Sequence, residues 1–404
     1  MGVYENLGVR TIINASGTLT RVGGSRMAPE VLAAMAEAAA SFVHIDELQA
    51  RAGEVLARMT GAEAGYVTSG ASAGLTLGIA ACVAGMDVGK MDRLPDVTGM
   101  KSEVVVQRGH RNSYDHAIRA VGVSLVEAGY LGYPGAGGTM AWQIEAAITD
   151  RTAAVACPIF DTPGTLSLPE VAEIAHARGV PVIVDAAAEL PPRANLRRFI
   201  AEGADLVAFS GGKAIGGPQS SGILAGRADL IASVALQHQD MDVRGETWNR
   251  RSLIGSGAIG GVPHQGLGRS LKVGREEIVG LLAALERYVA GSDDEDARVW
   301  TERLDIVAAA LGDVDGVVVA RRCPPDRPIP WLLLTLDEDL LGVTAYDVVT
   351  DLLDGSPPVA VTESRAEHHE LGVNAMGLTD GEAEIVGRRL RESLTSKGSH
   401  RHAG

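Results

Sequence analysis

Through the middle of the chain, short and almost uninterrupted apolar runs alternate with longer segments in which apolar positions recur every three or four residues. VVVQ (Val104–Gln107), AAVACPIF (Ala153–Phe160), VPVIVDA (Val180–Ala186) and DLVAFS (Asp205–Ser210) are mostly rich in β-branched residues and too short for helices. They predict strands buried on both faces. Between them, AWQIEAAIT (Ala141–Thr149), LPEVAEIAHARG (Leu168–Gly179) and NLRRFIAEG (Asn195–Gly203) carry helical spacing, and the last two close on a Gly suited to a left-handed cap. This β-α-β-α order predicts an α/β fold whose mainly parallel sheet is covered on both faces and binds ligands at the carboxyl ends of its strands.

Outside that region the texture changes. The Ala-rich stretch Ala33–Ala40 reads as plain helix, and EEIVGLLAALERYVAG (Glu276–Gly291) as a long helix with one apolar stripe. After it come strand-like VDGVVVARR and IPWLLLTLDE and a terminal helix-like GEAEIVGRRLRESL. The expected organisation is an N-terminal segment, residues 1–45, packing on the small domain; a large domain, 46–291; a smaller α+β domain, 292–395; and a polar tail, 396–404. The charge run Asp293, Asp294, Glu295 and Asp296 reads as a solvated linker, and Gly89–Glu103, with Pro and Gly at loop-like spacing, as an insertion forming a lid.

Composition narrows the function. With 404 residues, 46% apolar and 22% charged, the chain is globular and too large for a bare binding module. Lys plus Arg number 36 against 51 Asp plus Glu, a net charge of −15 that opposes a broad grip on nucleic acid or anionic lipid. Cys82, Cys157 and Cys323 lie far apart with no CxxC spacing, as expected of a reduced, cytoplasmic protein. The first residues carry no signal-peptide pattern, and no run approaches the ~20 apolar residues that a membrane span needs.

Four pieces carry candidate chemistry. In DLVAFSGGKAIGGPQSSGILAG a strand ends at Ser210, two glycines allow a tight turn, and Lys213 projects from the strand's carboxyl end, where an amine can attack a carbonyl cofactor such as pyridoxal 5'-phosphate (PLP). In VPVIVDAAAELPP, Asp185 ends a buried strand and is placed to pair with a protonated pyridine nitrogen. The turn Ser69, Gly70, Ala71, Ser72 opens an Ala/Leu helix and offers backbone N–H groups and hydroxyls to a phosphate. His110, between a strand and a helix, suits stacking on a flat ring. Taken singly, each has a plainer reading: a loop lysine, a helix cap, a Ser-rich cap, a hydrogen-bonding histidine. Together, in this chain order, they describe one site.

With these motifs the sequence resembles fold type I PLP-dependent enzymes, and more narrowly the selenocysteine synthase (SelA)-like group, which includes D-glucosaminate-6-phosphate ammonia-lyase. The resemblance runs through GVRTIINASGTLTRVGGSRM, TSGASAG, GMKSEVVVQRGHRNSYDHA, VIVDAAAELPP, SGGKAIGGPQSSG, LQHQDMDV and GLGRSLKVGREEIVGLLAALER. It implies that Lys213 is the Schiff-base lysine, Asp185 the pyridine partner, His110 the stacking residue and Ser69–Ser72 the phosphate turn, with Ser210 adding a phosphate contact. It also implies at least a homodimer, because such sites usually form between two chains. The NASGT segment begins at Asn14, which leaves no room for the tRNA-binding domain of the bacterial synthase, so seryl-tRNA is not the expected substrate.

The expected reaction is Cα deprotonation of a small amino acid or amino sugar acid by Lys213, most simply an α,β-elimination of the ammonia-lyase type. Racemisation or epimerisation, β-substitution by a transferase, and a PLP-binding pseudoenzyme are the alternatives. Arg108, Arg111, Arg269, Lys272 and Arg365 are the candidates for holding a substrate carboxylate or phosphate, and the resemblance favours Arg269 and Lys272. His368–His369–Glu370 and the group His110, Asp115, His116 are read as polar loop and cleft residues, and no metal is expected.

Overall fold

The computed structural model describes residues 2–131, 138–159, 162–379 and 381–395; Phe160 and the tail 396–404 therefore lie outside the described residues. Its strands, in chain order, are β1 (Ile13–Ala15), β2 (Ala64–Thr68), β3 (Glu103–Gln107), β4 (Ser124–Ala128), β5 (Thr152–Pro158), β6 (Val182–Asp185), β7 (Leu206–Ser210), β8 (Gly222–Gly226), β9 (Val317–Arg322), β10 (Trp331–Leu336), β11 (Val359–Arg365) and β12 (Glu370–Asn374). The chain divides into two compact units. The larger comprises residues 27–190 and 194–289, and the other 1–26, 191–193 and 290–404.

The larger unit holds a seven-stranded sheet in the order β2-β8-β7-β6-β5-β3-β4. Strands β3 to β7 are parallel, and β8 runs against both of its neighbours. Two reversals cancel, so β2 points the same way as β7. The apolar runs are continuous because alternate residues serve opposite faces. Val105, Val155, Val182, Val184, Val207 and Phe209 join one core, while Val104, Ala154, Ile183, Leu206 and Ala208 join the other. The helices Pro29–Ala39, Ile45–Thr60, Leu168–Ala177 and Arg275–Ala290 contribute to the first core, and Ala71–Ala84 and Ala228–His238 to the second. On Ala71–Ala84 a side chain at Gly78 would come within 2.6 Å of Ile183 Cδ1, so this glycine lets the helix lie close on the sheet.

Several expectations change. Residues 27–45 belong to the larger unit, because Val31 is buried and Met27, Ala28 and Met35 pack on the first core. Strand β5 stops at Pro158 and β6 begins at Val182, both shorter than the apolar runs. The segment Gly89–Glu103 is no lid: it contributes to the short helix Val88–Arg93, and Met91, Leu94, Val97 and Met100, three residues apart, anchor it to the second core.

The smaller unit has a five-stranded sheet, β1-β11-β12-β10-β9, antiparallel except that β1 lies parallel to β11. Leu332, Leu334 and Leu336 of β10 share a core with the helices Asp293–Leu311, Ala345–Asp354 and Glu382–Thr395. The acidic run is not a linker. It forms the first turn of Asp293–Leu311, where negative charge complements the helix dipole, and Asp293 and Asp296 grip the Arg193 guanidinium at 2.6 and 2.7 Å. Among the described residues no helix is long and apolar enough to cross a membrane.

Candidate active site

Because β2, β3, β5, β6 and β7 share a direction, the segments that follow their last residues emerge at one edge of the large sheet. That edge carries the 69–72 turn after β2, His110 after β3, Asp185 at the end of β6 and Lys213 after β7. Sequence positions spread over some 140 residues are thereby brought together.

The Lys213 turn is shaped by close approach. Gly211 and Gly212 are both buried. A side chain on Gly211 would strike Ser221 Oγ, and one on Gly212 would lie 2.7 Å from Gln219 Cα. The glycines are thus needed for room, since the 218–221 segment folds back over them. The Gly211 N–H donates to the Ser221 carbonyl at 2.9 Å, and the Lys213 carbonyl accepts from the Gly216 N–H at 3.0 Å, which closes the turn. Asp185 pairs in register with Ala208 of β7, and its Oδ1 accepts from the Ala187 N–H at 3.0 Å. Burial pushes its carboxyl above the usual range, while the Ala187 hydrogen bond and the nearby Lys213 charge pull it back in part.

The 69–72 turn is equally specified. Gly70 has φ +124° and open space where a side chain would point, as a phosphate cradle requires. Gly222, paired with both Thr68 and Ser210, would place a Cβ 2.5 Å from the Gly70 carbonyl carbon and 2.8 Å from the Ala71 nitrogen. Only a residue without a side chain lets the turn sit there. Ser69 Oγ donates to the Leu271 carbonyl at 2.9 Å, Ser72 is exposed, and Ser210 is half-buried beside Gly222. His110 is 3% exposed, and burial lowers its pKa, so its ring is neutral and suited to lie on a flat partner. An open cradle, a buried imidazole and a largely desolvated carboxylate near an amine together fit PLP.

The predicted substrate cations separate. Arg108 pairs with Glu127 at 2.9 Å; Arg111 pairs with Glu127 and, at 2.5 Å, with Asp115; Arg269 pairs with Asp240 at 2.6 Å; Arg365, in the smaller unit, pairs with Glu370 at 2.5 Å. Lys272 makes no ion pair or hydrogen bond among the described residues. It lines a cavity of about 310 Å³ together with Arg269, Tyr66, His238, Asp240 and Asn249, and also borders a second of about 450 Å³ with Ser220, Glu276 and Glu277. Sequence reasoning missed Gly222, Tyr66 and His238, and also Asn112 and Tyr114, which line a cleft with Asp185 and with Asp115, a residue the sequence did suggest for a cleft. Only the YDH string after His110 hinted at the last group. Among the described residues, no three His, Cys, Asp or Glu side chains are grouped to hold a metal.

A family model described as SelA: L-seryl-tRNA selenium transferase matches residues 12–244. The chain is 34% identical over 398 residues to the D-glucosaminate-6-phosphate ammonia lyase of Salmonella typhimurium (strain 14028s / SGSC 2262), covering 96% of this chain and 97% of that one. It is also 34% identical over 402 residues to a 5'-C-glycyluridine monooxygenase-decarboxylase of Streptomyces sp, covering 98% and 92%. A solved D-glucosaminate-6-phosphate ammonia-lyase superposes with a TM-score of 0.80 at 33% identity over 98% of both chains. The cysteine desulfurase CsdA from Escherichia coli, at 19% identity over 95% of both chains and a TM-score of 0.56, shares the fold. Matched over more than half its length by the family model and nearly end to end by a 34%-identical relative, the chain belongs to the SelA family, with the fold of the type I PLP-dependent enzymes.

Proposed function

We propose that the chain is a PLP-dependent ammonia-lyase that removes the Cα proton of a small amino acid or amino sugar acid, expels a β-hydroxyl, and releases ammonia and a 2-keto acid. The observation that carries this reading is the meeting of Lys213 with the buried Asp185 carboxylate at one sheet edge. PLP, when bound, supplies an aldehyde for the substrate amine and a ring that takes up the electron pair of the broken Cα–H bond. Asp185 keeps the ring nitrogen protonated. The N–H groups opening the helix Ala71–Ala84, with the Ser72 and Ser210 hydroxyls, would hold the phosphate, while Ser69, whose hydroxyl is donated to the Leu271 carbonyl, would shape the turn, and His110 would cover a ring face. Lys213 takes the Cα proton as a free amine.

Lys272 is the cation left to hold a carboxylate or phosphate on the substrate, since Arg108, Arg111, Arg269 and Arg365 already answer to carboxylates of this chain. Similarity to an ammonia lyase whose substrate ends in phosphate supports both the elimination and the anionic tail. We also propose a homodimer. Phe42 is 96% exposed beside the exposed Val43 and Ile45, an apolar patch suited to a second copy, and sedimentation of a monomer would refute it.

The test is incubation of PLP-loaded protein in deuterated water with D-glucosaminate 6-phosphate and a panel of D- and L-amino acids. Ammonia and a 2-keto acid, formed without oxygen or an acceptor, support the reading. Deuterium at Cα with inverted configuration would make the protein a racemase, oxygen-dependent CO₂ release would make it a decarboxylating oxygenase, and PLP uptake without turnover a PLP-binding pseudoenzyme, while failure to take up PLP would overturn the site assignment itself. Lys213→Ala should abolish turnover and borohydride fixation of PLP to the chain.

A further inference from the structure

Away from the Lys213–Asp185 edge, a second set of buried polar groups links three distant parts of the larger unit. Tyr66 Oη lies 3.0 Å from His238 Nδ1, and the rings meet edge to face with centroids 5.3 Å apart and planes at 81°. His238 Nε2 lies 3.1 Å from the Leu271 carbonyl oxygen, the same atom that accepts from Ser69 Oγ at 2.9 Å. Tyr66 and His238 are 4% and 5% exposed.

The proton positions follow from chemistry. A carbonyl only accepts, so His238 carries its proton on Nε2. Burial pushes His238 below its usual pKa, so the ring is neutral and Nδ1 is left as an acceptor, to which Tyr66 donates. The strand that precedes the phosphate turn therefore fixes the tautomer that grips Leu271. Leu271 immediately precedes Lys272. Its segment is pressed home by Gly266, where a side chain would come 2.6 Å from the Gln237 carbonyl oxygen, and by Gly268, where it would meet Leu77 Cδ2 at 2.5 Å.

We infer that His238 is a positioning residue: by donating from Nε2 to the Leu271 carbonyl it aims Lys272 into its cavity and, through the shared acceptor, ties that cavity to the Ser69 turn. The inference rests on the substrate-anion role proposed for Lys272. It predicts that Nε2, and not the bulk of the ring, is what matters. His238→Gln keeps an amide N–H within reach of Leu271. His238→Asn is too short to reach it.

The test compares PLP-loaded wild type, His238→Gln, His238→Asn and Lys272→Met by calorimetric titration with inorganic phosphate, by kcat and KM with the substrate that releases ammonia, and by thermal midpoint. Loss of one hydrogen bond predicts about a tenfold weaker phosphate Kd and higher KM for His238→Asn, with kcat held within about twofold, and recovery to within about threefold of wild type in His238→Gln. Equal behaviour of the Asn and Gln variants at unchanged midpoints, or an unchanged phosphate Kd in His238→Asn, would overturn the inference. Phosphate binding that survives Lys272→Met would instead overturn the reading of Lys272. Binding lost in Lys272→Met but kept in His238→Asn would sink the positioning role alone.

Discussion

Replacing Asp185 by Asn separates a cofactor partner from a strand-end cap. Among the described residues the carboxylate accepts one hydrogen bond, from the Ala187 N–H at 3.0 Å, and burial holds it above the usual range. An amide oxygen keeps that bond and carries no charge to desolvate. The cofactor-free protein should therefore keep its stability or gain up to about 1 kcal/mol, roughly 2–4 °C in midpoint for a unit of this size. Toward a protonated ring nitrogen the same change removes a charge-assisted hydrogen bond of about 1.5–3 kcal/mol, which is about 10- to 150-fold in PLP affinity. The assay is a thermal melt of apoprotein freed of PLP, followed by titration with PLP monitored by fluorescence quenching. An apoprotein midpoint that falls by more than about 4 °C while PLP affinity stays within about twofold would show that Asp185 serves as a cap, and the site assignment would fail.

Two further outcomes follow from the same geometry. His110 and His238 are both pushed below the ordinary value of 6.5 by burial, so as pH falls through about 6.5 the unfolded chain takes up protons that the folded chain refuses. Stability should be fully present above that pH and decline toward pH 5.5, read as falling urea midpoints. A flat or rising profile would contradict the neutral burial of both rings. Gly222→Ala forces a Cβ against backbone atoms of Gly70 and Ala71, so it should cost about 1–3 kcal/mol of stability and weaken PLP binding together. A variant that melts lower yet binds PLP normally would detach Gly222 from the phosphate turn.

The strands of the large sheet were readable because burial on both faces writes itself as unbroken apolar runs. The direction of β8 was not, since GILAG reads the same either way and only pairing with Thr68 and Ser210 decides it. The two glycines before Lys213 were visible, but their reason lies in Ser221 and Gln219, which return over them after a turn. The acidic run at Asp293 looked like a linker because its partner, Arg193, is 100 residues upstream. Likewise, Tyr66, His238 and Leu271 carry no local signature, because their association is a product of packing between elements distant in sequence. The cluster of Lys213, Asp185, His110 and the Ser69 turn was legible for the opposite reason: each sits next to a strand end, and strand ends of one direction share an edge.

The antiparallel β8 has a consequence for how such a protein diversifies. Thr68 and Ser210 face each other across Gly222, so the proposed anchor for an anion and the root of the proposed reactive amine stand two strand spacings apart, roughly 9–10 Å, on a backbone gauge that no side-chain exchange can stretch. Whatever occupies both anchors must match that span. New preferences for reactants are then expected where no ladder dictates spacing, as around Asn112 and Tyr114 and in the stretch from Asp240 to Lys272, while the interior gauge stays as it is.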